Sequence, residues 1–360
     1  MVHREASNGN EARFGSRLRE TVDFKRYWFR NRVTNNDFRK YALVICAFIF
    51  LFGAFLVGLR EMEKANPVRQ WEIQSIDTMK YSRDIGHDRL QDPTFVRQAN
   101  MQVAAIAKTG VTHVAIATPY DNEFSPMLKL WVRAARRNNL KVWFRGNWSG
   151  WEGWYNYARM GPVEHQTKTR EFIIANKSLF EDGDIFSSCP ECENGPRVNV
   201  NVESDVNQHR EFLIQEYQIA KQAFEEIGKD VDANYYSMNY DLAKAMMDTE
   251  TTKAFDGIVV VDHYVADPRA LARDMEEMAI RSGGSVVLGE FGAPIPDING
   301  EMTPQEQKLW LEEAMEELVK VKQLKGVNYW VNTGGTTAIW EENGSPRPAL
   351  EIISRVFKGK

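Results

Sequence analysis

The sequence has little cysteine, three residues in 360, too few for a disulfide-stapled scaffold. It has no excess of positive charge. The net charge is −5, so no broad basic surface points to nucleic acid. The first strand-like run, WEIQSIDTM at 71–79, is followed by no Gly-x-Gly-x-x-Gly. That absence argues against a dinucleotide-binding sheet, and nothing else in the chain requires a cofactor. Internal repeats and low-complexity tracts are also missing. What remains is ordinary globular composition, 43% hydrophobic and 26% charged, enough to bury a large core.

One long apolar run stands out. Residues 41–59 read YALVICAFIFLFGAFLVGL, nineteen residues without a charge. At about 1.5 Å per residue the run spans roughly 28 Å, near the hydrocarbon thickness of a bilayer. It is longer than the apolar part of a cleaved signal, and no small-x-small cleavage site follows it. Ten Lys or Arg and five Asp or Glu precede it. Basic flanks stay cytoplasmic, so the sequence predicts a basic cytoplasmic tail (1–40), a membrane helix (41–60) and a short linker (61–70). The remainder, 71–360, is then expected on the extracytoplasmic side, at a cell surface, in a periplasm or in a secretory lumen.

That remainder alternates two periodicities. Strand-like runs occur at 71–79, 111–118, 140–147, 183–189, 231–238, 257–264, 285–292 and 325–332. Amphipathic stretches of helical period lie between them and after the last. Eight strand–helix units imply a parallel sheet covered by crossover helices, and at this length a closed (β/α)₈ barrel. The fold class expected is therefore α/β, a TIM barrel preceded by one N-terminal transmembrane helix.

In such a barrel the chemistry sits at the C-terminal ends of the strands. Strand three ends in Arg145, Gly146, Asn147 and Trp148. Strand four runs into Cys189-Pro190-Glu191-Cys192-Glu193-Asn194. Strand six ends in Asp262, His263 and Tyr264, strand seven in Glu290, and strand eight in Trp330 and Asn332. Two carboxylates facing each other suit glycosidic cleavage. One must carry a proton for the leaving oxygen, and the other must be ionised to attack the anomeric carbon. Arg, His and Tyr can orient the ionised partner, and indole faces can stack on sugar rings.

Here the residues resemble a known family. Leu288-Gly289-Glu290-Phe291-Gly292 is similar to the strand-seven nucleophile motif of clan A glycoside hydrolases, above all those of cellulase-like family 5. The segment around His263 and Tyr264 resembles their strand six, and Trp330 resembles the tryptophan that floors their sugar subsite. The resemblance implies Glu290 as nucleophile and a glutamate after strand four, Glu191 or Glu193, as acid/base. It implies His263, Tyr264 and Trp330 as substrate-binding, and the strand-end positions add Arg145, Asn147, Trp148, Asn194 and Asn332. Pro190 stands where members have an asparagine. The activity implied is retaining hydrolysis of a β-linked polysaccharide or oligosaccharide, with no cofactor and no metal. The alternative is a non-catalytic carbohydrate-binding or surface-assembly protein on the same barrel. A Schiff-base barrel enzyme has only Lys80 to offer near a strand end. Cys189 and Cys192 are read as a local disulfide or as two free thiols bracketing Glu191.

Overall fold

The computed structural model describes residues 70–89, 91–196 and 198–360. The expected tail, membrane helix and nearly all of the linker lie outside the described residues. Among the described residues, no helix is long and apolar enough to cross a membrane.

Eight strands form one all-parallel sheet: β1 (Ile73–Asp77), β2 (His113–Ile116), β3 (Lys141–Phe144), β4 (Ile185–Phe186), β5 (Ser237–Asn239), β6 (Ile258–Asp262), β7 (Ser285–Phe291) and β8 (Leu324–Tyr329). Their order is β4-β3-β2-β1-β8-β7-β6-β5, strands next to each other in sequence pairing except β4 with β5, and β1 pairing with β8. The two outer strands meet where Ile185 bridges Asp232, just before β5. There Phe186 N–H donates to Asp232 O at 2.8 Å, and Asp232 N–H donates to Asp184 O at 2.9 Å. The architecture fits the (β/α)₈ expectation.

The helices that return the chain are α1 (Phe95–Ala107), α2 (Ser125–Arg137), α3 (Pro162–Ala175), α4 (Glu203–Ile227), α5 (Tyr240–Met246), α6 (Thr249–Ala254), α7 (Pro268–Ser282), α8 (Pro304–Leu318) and α9 (Ala349–Phe357). The expected fifth helix near 240–254 is split into α5 and α6. Asp248 caps α6, its side chain accepting from Thr251 N–H, so it starts a new helix rather than continuing the old one. The expected strands at 183–189 and 231–238 shrink to β4 and β5. Ser187 N–H still donates to Phe144 O at 2.8 Å, while the side chains of Ser187, Ser188 and Asn234 bond to Tyr235 O, the Tyr236 hydroxyl and Phe255 O.

Two cores follow from the alternation of side chains along each strand. Ile73, Ala115, Trp143, Ile185, Tyr235, Ile258, Val260 and Val287 fill the barrel interior. A larger cluster lies between strands and helices, with Phe144, Leu288 and Val327 facing the helices' apolar stripes. Both faces of each strand are thus buried, which is why the strands read as nearly continuous apolar runs. The interior is packed up to Trp143 and Val260, and the polar residues stand directly above that floor.

Candidate active site

Arg145 leaves the end of β3 and lies across the top of the packed interior. It is only 1% exposed, with its guanidinium 5.5 Å from the centre of the Trp143 ring. Nη1 donates to Asp77 Oδ2 at 2.9 Å and to Glu290 Oε1 at 2.8 Å. Nη2 donates to Ser237 Oγ at 2.9 Å and to Asp262 Oδ2 at 3.3 Å. One cation therefore ties the ends of β1, β3, β5, β6 and β7. A fork of fixed donors does this where a lysine's point charge would not.

Glu290, in the last turn of β7, is 4% exposed. Its Oε1 accepts from Arg145 and its Oε2 accepts from the Tyr264 hydroxyl at 2.8 Å. Burial pushes its carboxyl up, Glu191 adds to this, and Arg145 and Tyr264 pull against it. Gly289 makes the arrangement possible. A Cβ there would lie 2.4 Å from Asp262 Oδ1 and 2.8 Å from Val260 Cγ1, so only glycine lets β7 approach β6 at this height.

Glu191 arrives on a loop rather than a strand. Its backbone is left-handed, with φ of 46°, and its N–H donates to Ser237 O at 2.8 Å. A disulfide joins Cys189 to Cys192, closing a four-residue ring around it. This decides between the two states of the cysteine pair left open by the sequence. The Trp151 indole N–H donates to Cys192 O at 2.9 Å and holds the ring from behind. One carboxyl oxygen each of Glu191, Asp262 and Glu290 lie within 4.8 Å of one another. They are the one such trio of His, Cys or carboxylate groups among the described residues, and a cation there would compete with Arg145 for two of its members. Burial raises the Glu191 carboxyl, and neighbouring Glu193 raises it further.

The other glutamate of that loop turns away. Glu193 Oε1 accepts from the Asn239 backbone N–H at 2.8 Å and from its side chain at 2.9 Å. Asn194 is exposed, its amide reaching Glu191 Oε2 at 3.3 Å. Trp330, half-buried at the end of β8, stands edge-on to Tyr264 with ring centres 6.2 Å apart. Lys80 Nζ lies 5.3 Å from the Trp330 ring centre while paired with Asp84 at 2.7 Å.

Four expected site residues do not join this group. Trp148 is 6% exposed and packs edge-on against Tyr120 and Phe172, so neither of its faces is open to a sugar. Asn147 is buried beneath the loops. It donates to Glu152 Oε1 at 3.0 Å and to Cys189 Sγ at 3.4 Å, and accepts from Trp148 N–H at 2.7 Å. His263 turns outward to Asp274 of α7 at 2.9 Å and stacks on Tyr240. Asn332 lies on the outer side of β8 and donates to Gln102 of α1 at 2.9 Å. Reading strand ends in one dimension assigns every polar residue there to the mouth. Alternation sends about half of them outward, and a shift in register between Val261 and Asp262 decides which face of β6 they take.

Three participants were missed. Asp77 closes β1 and accepts from Arg145, from Met79 N–H at 2.6 Å and from Asn328 at 3.3 Å. Its signal was available, as an acid at the C-terminal end of the first strand. Asp262 was noted only as the neighbour of His263. Glu152, in the short turn Ser149–Glu152, lies close enough to Glu191 and Glu193 to feel both, and burial pushes its carboxyl up to about 7. No local pattern in the sequence marks it.

Architecture of this kind is shared with solved carbohydrate-active barrels. A variant of GH5_18 from Bifidobacterium longum subsp. longum, in complex with Manb1-4GlcNAc, is similar at a TM-score of 0.60 and 12% identity over 80% of this chain and 78% of that one. A variant of GH5_18 from Streptomyces cattleya, also with Manb1-4GlcNAc, is similar at 0.58 and 12% identity over 79% and 80%. The beta-glycosidase BGL167 is similar at 0.54 and 12% identity over 82% and 98%. At such identities the likeness establishes the (β/α)₈ fold and not the chemistry. No protein-family model matches the chain, and no curated protein matches it by sequence.

Proposed function

We propose that this chain is a retaining glycoside hydrolase acting on β-linked sugars, with Glu290 as nucleophile and Glu191 as acid/base. The observation that carries the reading is the approach of the two carboxyl groups, whose oxygens lie within 4.8 Å. Retaining enzymes need carboxyls about 5–5.5 Å apart, and inverting ones about 6.5–9.5 Å, to admit a water. The names of the structural neighbours agree with this class of reaction.

The geometry supports a two-step path. Arg145 and Tyr264 favour the ionised form of Glu290 and aim it. Glu191, half-buried beside Glu193 and with its carboxyl raised, offers a proton to the glycosidic oxygen as Glu290 bonds to the anomeric carbon. The aglycone leaves with that proton. Ester formation removes the negative charge of Glu290, so Glu191 becomes the stronger acid and remains as a base. It then takes a proton from water, whose oxygen bonds to the anomeric carbon and frees Glu290. Trp330, half-buried at the rim, supplies a face for the sugar bound next to Glu290 once Lys80 moves aside. A sugar-binding protein without turnover would not need a second carboxyl this close to the first, which disfavours the non-catalytic alternative.

The test is turnover of aryl β-glycosides and β-linked oligosaccharides by the full-length chain. Glu290→Gln should lower kcat by roughly 10⁴-fold or more. Glu191→Gln should cost more with poor leaving groups than with activated aryl groups, since only the former need its proton. Undiminished turnover by Glu290→Gln, or equal binding without turnover by parent and variant, would sink the proposal. We further propose that residues 41–60 anchor the enzyme in a membrane with residues 70–360 outside. Protease protection of residues 70–360 in sealed vesicles would support that orientation.

A further inference from the structure

Three carboxyl groups surround one guanidinium, and they are not equally provided for. Glu290 has a donor on each oxygen, Arg145 on one and Tyr264 on the other. Asp77 likewise has Met79 N–H on Oδ1, and Arg145 with Asn328 on Oδ2. Asp262 has one long contact from Arg145 to Oδ2 at 3.3 Å, with the Ser237 hydroxyl as its other polar neighbour. Its Oδ1 is sealed from solvent and has no hydrogen-bond partner. The residue is 2% exposed, and Oδ1 sits in the space left by the missing side chain of Gly289. A carboxylate buried with one bare oxygen is costly, while an unpaired neutral hydroxyl costs far less.

We propose that Asp262 works as a neutral carboxylic acid, a positioning residue that leaves the charge of Arg145 to Asp77 and Glu290. The inference rests on the reading of Glu290 as nucleophile. The charge count supports it. Arg145 alone faces Asp77 from β1, Asp262 from β6 and Glu290 from β7, and Glu191 stands above them from the loop after β4. Ser237 from β5 adds a hydroxyl and no charge. Lys80 and Arg83 pair with Asp84, and Arg83 also pulls at longer range on Glu290 and Glu191. His263 adds nothing, because its ring is turned to Asp274. If all four carboxyls were ionised, four anions would crowd one buried guanidinium, with Arg83 offering only longer-range relief at Glu290 and Glu191. Burial lifts the Asp262 carboxyl well above the usual carboxylate range. Glu290 and Glu191 push the same way, and Arg145 and Ser237 oppose them.

A neutral Asp262 has a consequence for the reaction. An anion this close to both Glu290 and Glu191 would hinder ionisation of the first and hold the proton of the second too firmly. With a proton on Asp262, the nucleophile keeps its charge, and Glu191 answers mainly to changes at Glu290. Asparagine copies the shape and neutrality of the acid, so Asp262→Asn is the informative variant.

In the full-length chain, infrared difference spectra of parent minus Asp262→Asn at pH 7 should show loss of a protonated-carboxyl C=O band, with no change in the carboxylate bands. Whatever its rate, the variant should keep the acid limb of the pH profile of kcat/KM for an aryl β-glycoside in place. Loss of a carboxylate band instead, or an acid limb moved to lower pH, would overturn the inference, because removing an ionised neighbour eases ionisation of Glu290. Should the variant fail to fold, the parent labelled with carboxyl-¹³C aspartate decides: absence of any protonated aspartyl carboxyl at pH 7 overturns it and presence supports it. The two readings fail separately. Turnover by Glu290→Gln would remove the proposed function and leave the infrared result standing. An ionised Asp262 beside an inactive Glu290→Gln would remove only this inference.

Discussion

The two glutamates of the site are held in opposite ways. Glu290 belongs to a strand, and its position follows from the barrel ladder and from Arg145, which reaches five strand ends. Glu191 belongs to a loop, and its position follows from a disulfide ring, a left-handed backbone and one hydrogen bond to β5. The direct contacts differ as well. A guanidinium and a hydroxyl touch Glu290, whereas Glu191 is touched by the Asn194 amide and has Glu193 beside it pushing its carboxyl up. The difference teaches that one barrel rim can bias two carboxyls apart by placing a buried guanidinium against one of the two.

The largest way to break this contrast is to remove the cation. Arg145→Met should destabilise the fold by about 3–5 kcal/mol, because Asp77 and Glu290 are left buried and unpaired. Denaturant unfolding at several pH values checks it. The deficit should grow as pH rises, since the orphaned carboxyls of the variant can be accommodated only when protonated. A deficit below about 1 kcal/mol at neutral pH would show that the strand side does not depend on Arg145.

The loop side is tested through its strap. Replacing Cys189 and Cys192 by serine should cost at most about 2 kcal/mol in stability, since the ring closed is so short. It should lower kcat roughly tenfold or more, because Glu191 then samples positions away from Glu290. Unchanged kcat would mean that the Trp151 and Ser237 contacts suffice to place it. The smallest effect expected is at Glu152. Its folded-state carboxyl is raised from 4.5 to about 7, so the folded state binds that proton more tightly than the unfolded chain. The cost is absent below the unfolded value, grows as pH climbs from about 4.5 to 7, and stays constant above. Glu152→Gln should therefore be more stable than the parent above pH 7, by on the order of 1 kcal/mol, with the gain vanishing at acid pH. A gain independent of pH would assign the effect to packing instead.

The barrel was readable because each strand buries both faces and each helix only one, which writes two periods into the sequence. Glu290 was readable because a glutamate between glycines at a strand exit has few structural reasons to be there. Tyr264 and Arg145 were readable for the same reason of place. The direction of a side chain at a strand end was not. His263 and Asn332 point outward while Asp262 and Asn328 point in, and that is set by register shifts that no local pattern records. Trp148 and Trp151 are dense in sequence because they pack the loop onto α3 and α4, not because they face a ligand. Glu191 could be separated from Glu193 only by the turn that the disulfide closes.

The barrel wall also has a seam. Between β4 and the chain leading into β5, a single bridge at Ile185 and Asp232 stands in for a ladder. Above it, the stitches are Ser187 Oγ to Tyr235 O, Ser188 Oγ to the Tyr236 hydroxyl, Glu191 N–H to Ser237 O and the grip of Glu193 on Asn239. Amide protons along that line are thus expected to exchange before those of β1, β7 and β8, which share longer ladders. A breath at the seam would carry Glu191 off with the β4 side while Glu290 stayed fixed by Arg145. The pocket would then open by parting its own wall, with no hinged lid required.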